Sequence, residues 1–295
     1  KTYNILCDDY SRNLYIQLLT YRILGYTKVK LPLNNKEYWN TINDINKIKF
    51  NEDDYIDTKF RGLKLYKYNF KKIGFSIEMY SIPGGIYTIF ISKQYEYSNN
   101  ACYIRAREGS IVIDAGGCWG DTALYFANEV GETGRVYTFE FIPGNLEILR
   151  KNISLNENLA SRIEIIDRPL WNVSDKQLFY WDDGPASRVS DKRTGKFQNL
   201  TTTLSIDDFV ERYNVNNVDF IKMDIEGAKG EALKGALNTI KKFRPKLAIS
   251  IYHNLNDFSN IGVFLYNLNL DYEFYLDHYT PIGWETVLYC TPIKK

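Results

Sequence analysis

Cysteine and histidine are scarce in this chain: four of the first and two of the second in 295 residues, with only two methionines. Cys7, Cys102, Cys118 and Cys290 lie far apart, with no C-x-x-C pair and no Cys/His group at zinc spacing. That argues against a zinc-ribbon scaffold and makes reduced thiols the default reading. Long hydrophobic runs are missing too. No stretch reaches the roughly 18 apolar residues of a membrane span, and Lys1 to Asp9 lacks the charged-then-apolar layout of a signal peptide. The expected compartment is the cytoplasm. Nor is there an excess of charge, since 37 Lys and Arg against 36 Asp and Glu leave a net +1. No overall field steers the chain toward nucleic acid or an anionic membrane, so neither is among the expected partners. The chain opens at Lys1 without an initiator Met, which points to a possible origin in a larger polypeptide.

What is present falls into two parts. Between Tyr3 and Leu31, Leu14, Leu18 and Ile23 recur at helical spacing after a candidate cap, Ser11, and a second helix is expected over 35–48. From Thr58 to Tyr95, apolar runs including Phe75 to Tyr80 and Ile86 to Ile91, punctuated by Gly62, Gly74 and Pro83-Gly84-Gly85, predict a small antiparallel element. Residues 1–95 are therefore expected to form a helical and β extension. From Ser110 the rhythm becomes strand, loop, helix, repeated. Apolar strands are expected at Ile111 to Ile113, Arg135 to Phe139, Arg162 to Ile166, Val218 to Met223 and Lys246 to Tyr252, with helices at Thr122 to Val130, Pro143 to Asn156, Lys229 to Thr239 and Asn260 to Leu268. Such alternation calls for a doubly wound parallel sheet covered on both faces, here assigned to residues 96–295. Glu273 to Leu276 and Thr286 to Cys290 have no helix between them and should pair as a hairpin with one antiparallel strand. The polar, turn-rich 182–199 reads as a mobile loop beside the acceptor site.

Asp114-Ala115-Gly116-Gly117-Cys118-Trp119-Gly120 follows the first of these strands and opens a helix, the place where open α/β sheets bind ligands. Small residues let a cofactor approach the backbone, and the helix start offers free N–H groups to a carboxylate. Ala115 stands where a nicotinamide fingerprint requires its first glycine, which argues against an oxidoreductase. The acid ahead of the glycines suits a cationic amino-acid cofactor instead: Asp114 is expected near the amino group and sulfonium of S-adenosylmethionine. About 20 residues on, Glu140 ends the next strand, where one carboxylate can accept both ribose hydroxyls. With Gly116, Gly117, Trp119, Gly120, Asp121, Phe141, Asp167 and Asp224, these residues form the expected cofactor-binding set.

The segment from Ile111 to His253 resembles the FkbM-type methyltransferases, whose pattern runs Asp-x-Gly-Ala-Asn-x-Gly, Phe-Glu-Pro, then Lys-x-Asp-x-Glu-Gly-Ala-Glu. The counterparts here are Asp114 to Gly120, Phe139-Glu140-Phe141 and Lys222 to Ala228. The resemblance implies a class I methyltransferase fold, Rossmann-like and seven-stranded, and methyl transfer to a hydroxyl of a sugar, glycan or natural product. Three positions depart from the pattern: Cys118 replaces Asn, Phe141 replaces Pro, and Lys229 stands where an acid usually follows Gly-Ala. A degenerate, non-catalytic module is the other reading kept open.

Asp224 closes a buried-looking strand and Glu226 follows at the turn, so both carboxylates can face the transferred methyl group. They are candidates for a general base with its orienting partner, or for ligands of a divalent metal. His253 and His278 each follow a strand at the carboxyl rim of the sheet. A neutral imidazole suits proton abstraction near pH 7, so His253 is the expected base, with Asp224 orienting it or binding the acceptor hydroxyl. Tyr95, Arg188 and His278, together with Tyr97 and Trp181, are the candidates for acceptor binding.

Overall fold

The computed structural model describes residues 1–99 and 102–293. Its centre is a seven-stranded sheet: β1 (Ile111–Ala115), β2 (Arg135–Phe139), β3 (Ile163–Ile166), β4 (Phe220–Met223), β5 (Lys246–Ser250), β6 (Tyr272–His278) and β7 (Thr286–Pro292), in spatial order 3-2-1-4-5-7-6. Every pairing is parallel except those of β7, which runs antiparallel between β5 and β6. This is the class I methyltransferase arrangement, as expected.

Successive strand residues point to opposite faces, and here both faces are covered. Val112, Phe220, Ala248, Val287 and Tyr289 pack on one side with Phe90, Tyr125 and Phe126. Ile113, Ile221, Leu247, Ile249 and Leu288 pack on the other with Leu14, Leu18, Phe209 and Phe258. That is why these strands read as unbroken apolar runs. The chain moves from β1 outward to β3, then returns to place β4 on the other side of β1. The crevice beyond the carboxyl ends of β1 and β4 is therefore a topological switch point.

Residues 1–95 wrap this sheet. Helix α1 (Asp9–Leu24) is capped by Asp8, whose side chain accepts from the Ser11 amide. The expected cap, Ser11, instead lies buried in the first turn, close to β6. Leu6 bridges Phe274 and covers the edge strand β6, which would otherwise offer unpaired backbone groups. Helix α2 (Lys36–Asn46) precedes a three-stranded antiparallel sheet built from 55–57, 64–69 and 78–81. The run Ile86 to Ile91, expected as a strand, is helical: Pro83–Ile86 is a turn of α-helix and Tyr87–Ile91 a π-helix. An apolar run has no period to separate strand from helix, while Pro83 suits a helix's first turn. Burial of Phe90 against Phe70, Phe75 and Tyr125 completes the segment.

After β1 comes α3 (Asp121–Glu129), and after β2 comes α4 (Pro143–Ser154). The segment expected to be a mobile loop is instead part of a second small sheet, with 177–181 between 188–190 and 199–202. The helix expected over Lys229 to Thr239 is two helices, α5 (Lys229–Lys234) and α6 (Leu237–Phe243). They break at Gly235, where a Cβ would lie 2.2 Å from the Trp171 carbonyl oxygen. Helix α7 (Leu255–Tyr266) follows β5 and is capped by Asn254.

Candidate functional site

A cleft opens at the switch point, lined by Gly116 and Cys118 from the turn after β1, by Glu140 to Ile142 and Asn145 after β2, by Arg168 to Leu170 after β3, and by Asp224 to Glu226 and Ala228 after β4. The small sheet leans over it with Gly184, Pro185, Ser187 and Val189. Its floor is close-fitting backbone. Gly116 has φ +93°, and a Cβ there would lie 2.1 Å from the Asp224 carbonyl oxygen; one on Gly117 would lie 2.1 Å from Thr138 Oγ1. Cys118 holds φ +43°, a left-handed conformation that Asn tolerates better than most side chains.

Glu140 is 7% exposed. Its Oε1 accepts from the amides of Phe141 and Ile142 at 2.7 and 2.8 Å and Oε2 takes a long 3.4 Å bond from Asn145, with the Cys118 backbone amide also favouring the carboxylate. Burial pushes its carboxyl up to about 7, against the pull of these donors. One oxygen is thus anchored, and the other is left with capacity for a ligand's hydroxyls.

The chemical corner lies where β4 and β5 end. Asp224 Oδ2 accepts from the hydroxyls of Tyr95 and Tyr252 at 3.4 and 3.3 Å, whereas its buried Oδ1 has no hydrogen-bond partner among the described residues. His253 Nε2 stands 3.6 Å from that oxygen and 3.5 Å from Glu226 Oε1. Arg188 reaches across from the small sheet to hold Glu226 Oε2 at 2.5 Å. Behind them Lys229 Nζ lies 2.6 Å from His253 Nδ1 and 3.5 Å from Asp257 Oδ2. Burial works against the Asp224 charge, but His253, Lys229 and Lys222 offset it and hold its carboxyl below the usual range. Burial pushes Glu226 up, with Arg188 and Lys229 pulling back. Burial draws His253 down to about 4, Asp224 opposing and Lys229 reinforcing.

Several expected site residues lie elsewhere. Asp114 is fully buried under the cleft floor, its carboxylate taken up by Thr122, Thr138 and Lys222 at 2.9 to 3.0 Å. Its side chain supports the turn from below. Trp119 points away from the cleft and packs with Leu65, Tyr80 and Ile148. Gly120, at φ +87°, meets Leu149 and shapes the helix start. Asp121 begins α3 outside the cleft lining; burial raises its carboxyl to about 6. Asp167 is exposed, while the next residue, Arg168, lines the cleft. Tyr95 and Tyr97 are buried, not rim residues. His278 is buried too, its Nδ1 2.9 Å from Thr286 Oγ1 across the β6–β7 pair. His253 stands behind the Asp224 and Glu226 carboxylates instead of in the cleft lining.

Sequence reasoning gave no role to Lys222, Asn145, Tyr252 or Asp257. Lys222 left a usable signal, since a lysine inside the apolar run Phe220 to Met223 requires a buried acid. Among the described residues, no group of three or more His, Cys, Asp or Glu side chains is arranged to hold a metal ion.

Residues 104–274 match the model of the methyltransferase FkbM domain. The chain belongs to the FkbM methyltransferase family. Among solved structures, the chain is similar to the FkbM methyltransferase of Methylobacillus flagellatus KT, with a TM-score of 0.60 and 21% identity over 98% of this chain and 56% of that one. It thus spans little more than half of that relative's length. Over 84 residues it is 34% identical to the tRNA (adenine(57)-N(1)/adenine(58)-N(1))-methyltransferase TrmI of Methanocaldococcus jannaschii, covering 24% of this chain and 30% of the relative. No helix among the described residues is long and apolar enough to cross a membrane.

Proposed function

We propose that this family member is an S-adenosylmethionine-dependent O-methyltransferase acting on a hydroxyl of a sugar, glycan or natural product. The observation that carries the reading is Asp224 Oδ1, a buried acceptor atom of a cleft-lining residue with no donor within hydrogen-bond distance among the described residues, His253 Nε2 standing back at 3.6 Å. An unpaired buried acceptor is unfavourable, and an incoming hydroxyl supplies the missing donor. Lys229 and Lys222 help keep Asp224 ionised, so it meets that hydroxyl in the proton-accepting form.

The residues present fit the cofactor. Gly116 and Gly117 let the turn pack directly on Asp224 and Thr138 beneath it, Glu140 Oε2 suits a ribose diol, and Phe141, Ile142, Leu170 and Ile225 provide an apolar wall for a base. When bound, S-adenosylmethionine supplies a methyl group already activated on a sulfonium. The chain's own residues then have two tasks: hold the acceptor oxygen in line and take its proton. We assign the proton to Asp224, with Glu226 as the neighbouring carboxylate and His253 Nε2 between them. This moves the base from the imidazole, the expected choice, to the carboxylate in the cleft wall.

Calorimetry with S-adenosylhomocysteine and with NAD tests the cofactor. Binding of the first alone supports the reading, and binding of neither sinks it. A mass-spectrometric screen of hydroxylated acceptors, with S-adenosylmethionine as donor, then tests the transfer; a product methylated on nitrogen or carbon overturns the O-methyl assignment.

A further inference from the structure

We propose that Lys229 is a resident cation of the catalytic corner: its ammonium group sits beside the carboxylates that a divalent ion would use and fixes His253 as an Nε2–H donor. The proposal rests on the reading of that corner given above. Lys229 is fully buried, with Nζ 2.6 Å from His253 Nδ1 and 3.5 Å from Asp257 Oδ2, and Asp224 and Glu226 close enough to favour its charge. An ammonium group is unfavourable inside a protein unless paired. Here burial draws its proton affinity down, while Asp257 beside it and the charges of Asp224 and Glu226 favour the charged form.

The tautomer follows from hydrogen-bonding capacity. A charged lysine has three donors and no lone pair, so at 2.6 Å Nδ1 must be the acceptor. The single proton of the neutral imidazole is then on Nε2, facing Asp224 Oδ1 and Glu226 Oε1 at 3.6 and 3.5 Å. The reverse arrangement would aim a lone pair at two carboxylates and leave Asp257, Asp224 and Glu226 around an uncharged amine. His253 is thus a positioning residue that orients the carboxylates, and Lys229 positions His253. A divalent ion entering among these acids would meet the charge of a covalently tethered cation held behind the imidazole.

The chain has only two histidines, so a long-range 1H–15N correlation spectrum of protein labelled at histidine nitrogen contains two imidazoles, and loss of one signal set in His278→Asn assigns both. The wild-type spectrum is expected to show His253 neutral and protonated at Nε2 from pH 6 to 8. In Lys229→Met the carboxylates lose their cation, and the His253 pKa should rise by about two units or more into the titrating range; Lys229→Arg should keep the imidazole neutral. Unchanged His278 signals report that the fold is intact. Wild-type His253 protonated at Nδ1 overturns the proposal without any variant, as does a Lys229→Met spectrum that titrates like the parent. Titrated Mn²⁺ should broaden His253 no more than His278, and selective broadening at His253 also overturns it. Failure to bind S-adenosylhomocysteine would sink the enzyme reading while leaving this tautomer result standing.

Discussion

Lys222 and Asp114 form an ion pair at 2.9 Å, with side-chain exposures of 2% and 0%. Lys222 Nζ also donates to the Gly116 carbonyl at 2.6 Å, so the pair ties β4 to the glycine turn that floors the cleft. Burial alone would strip the lysine of its proton, but the Asp114 and Asp224 carboxylates more than offset this and raise its proton affinity. Lys222→Met leaves a buried carboxylate without its cation, a loss of about 3–5 kcal/mol. Urea unfolding of the variant should show it, and the double change Asp114→Asn with Lys222→Met should recover part of the loss. A single Lys222→Met variant as stable as the parent would count against the pair.

The close approach of Gly116 to Asp224 gives a second prediction. Gly116→Ala places a methyl group where the Asp224 carbonyl oxygen stands and demands φ near +93°, so both the turn and the end of β4 must shift. S-adenosylhomocysteine affinity should fall at least about tenfold, with a stability loss beyond ~1 kcal/mol. Gly144→Ala is the control: a Cβ there meets nothing within 4 Å, and the position lies in the first turn of α4. Equal effects at the two glycines would contradict this account.

Glu140 makes a pH-dependent prediction. Its carboxyl is raised from 4.5 to about 7 in the folded protein, so between those values the native state holds a proton that the unfolded chain has released. Stability contributed by this group is therefore present at low pH and lost as pH rises through about 7. Ribose hydroxyls favour the ionised carboxylate, so S-adenosylhomocysteine affinity should move the other way and strengthen from pH 6 to 8. Glu140→Gln should flatten both profiles and weaken binding about tenfold or more. Parent-like profiles in that variant would remove Glu140 from the cofactor site.

Much of this architecture was legible because it is local. The apolar run at Ile111 to Ile113, the glycine turn and the absence of a helix between β6 and β7 each state their own geometry, and together they imply the switch point. Ile86 to Ile91 was misread because an unbroken apolar run carries no period. The burial of Asp114 was not legible because its strand position was clear while its partner, Lys222, comes from a neighbouring strand far along the chain. Lys229 stood out only as a departure from a pattern. Its meaning depends on Asp257 and His253, residues brought to it by the packing of α7 and the end of β5, which no local spacing records. The small sheet over the cleft looked like a loop because its connections are polar and turn-rich and its strands at 188–190 and 199–202 are only three and four residues long.

Proton removal provides the last prediction, for which an acceptor found by screening serves as substrate. If Asp224 Oδ1 takes the proton, Asp224→Asn keeps the side chain's shape, removes the accepting charge and should lower kcat by about 10²-fold or more with S-adenosylhomocysteine affinity changed little. His253→Asn, which disturbs only the orientation of the carboxylates, should cost about tenfold in kcat, and combining it with Asp224→Asn should add little, since the two act as one unit. Were His253 the base, the ranking would reverse, with the imidazole variant the more damaged and a rate that rises through the histidine's own titration. The low proton affinity of His253, about 4, places that titration below neutral pH, so a flat kcat profile from pH 6 to 8 does not distinguish the two schemes, whereas the ranking of the variants does. Chelator is the remaining arm. Turnover lost to EDTA and restored by Mg²⁺ would mean that a metal acidifies the acceptor hydroxyl, with Asp224 and Glu226 among its ligands, and would overturn both the carboxylate-base scheme and the place given to Lys229.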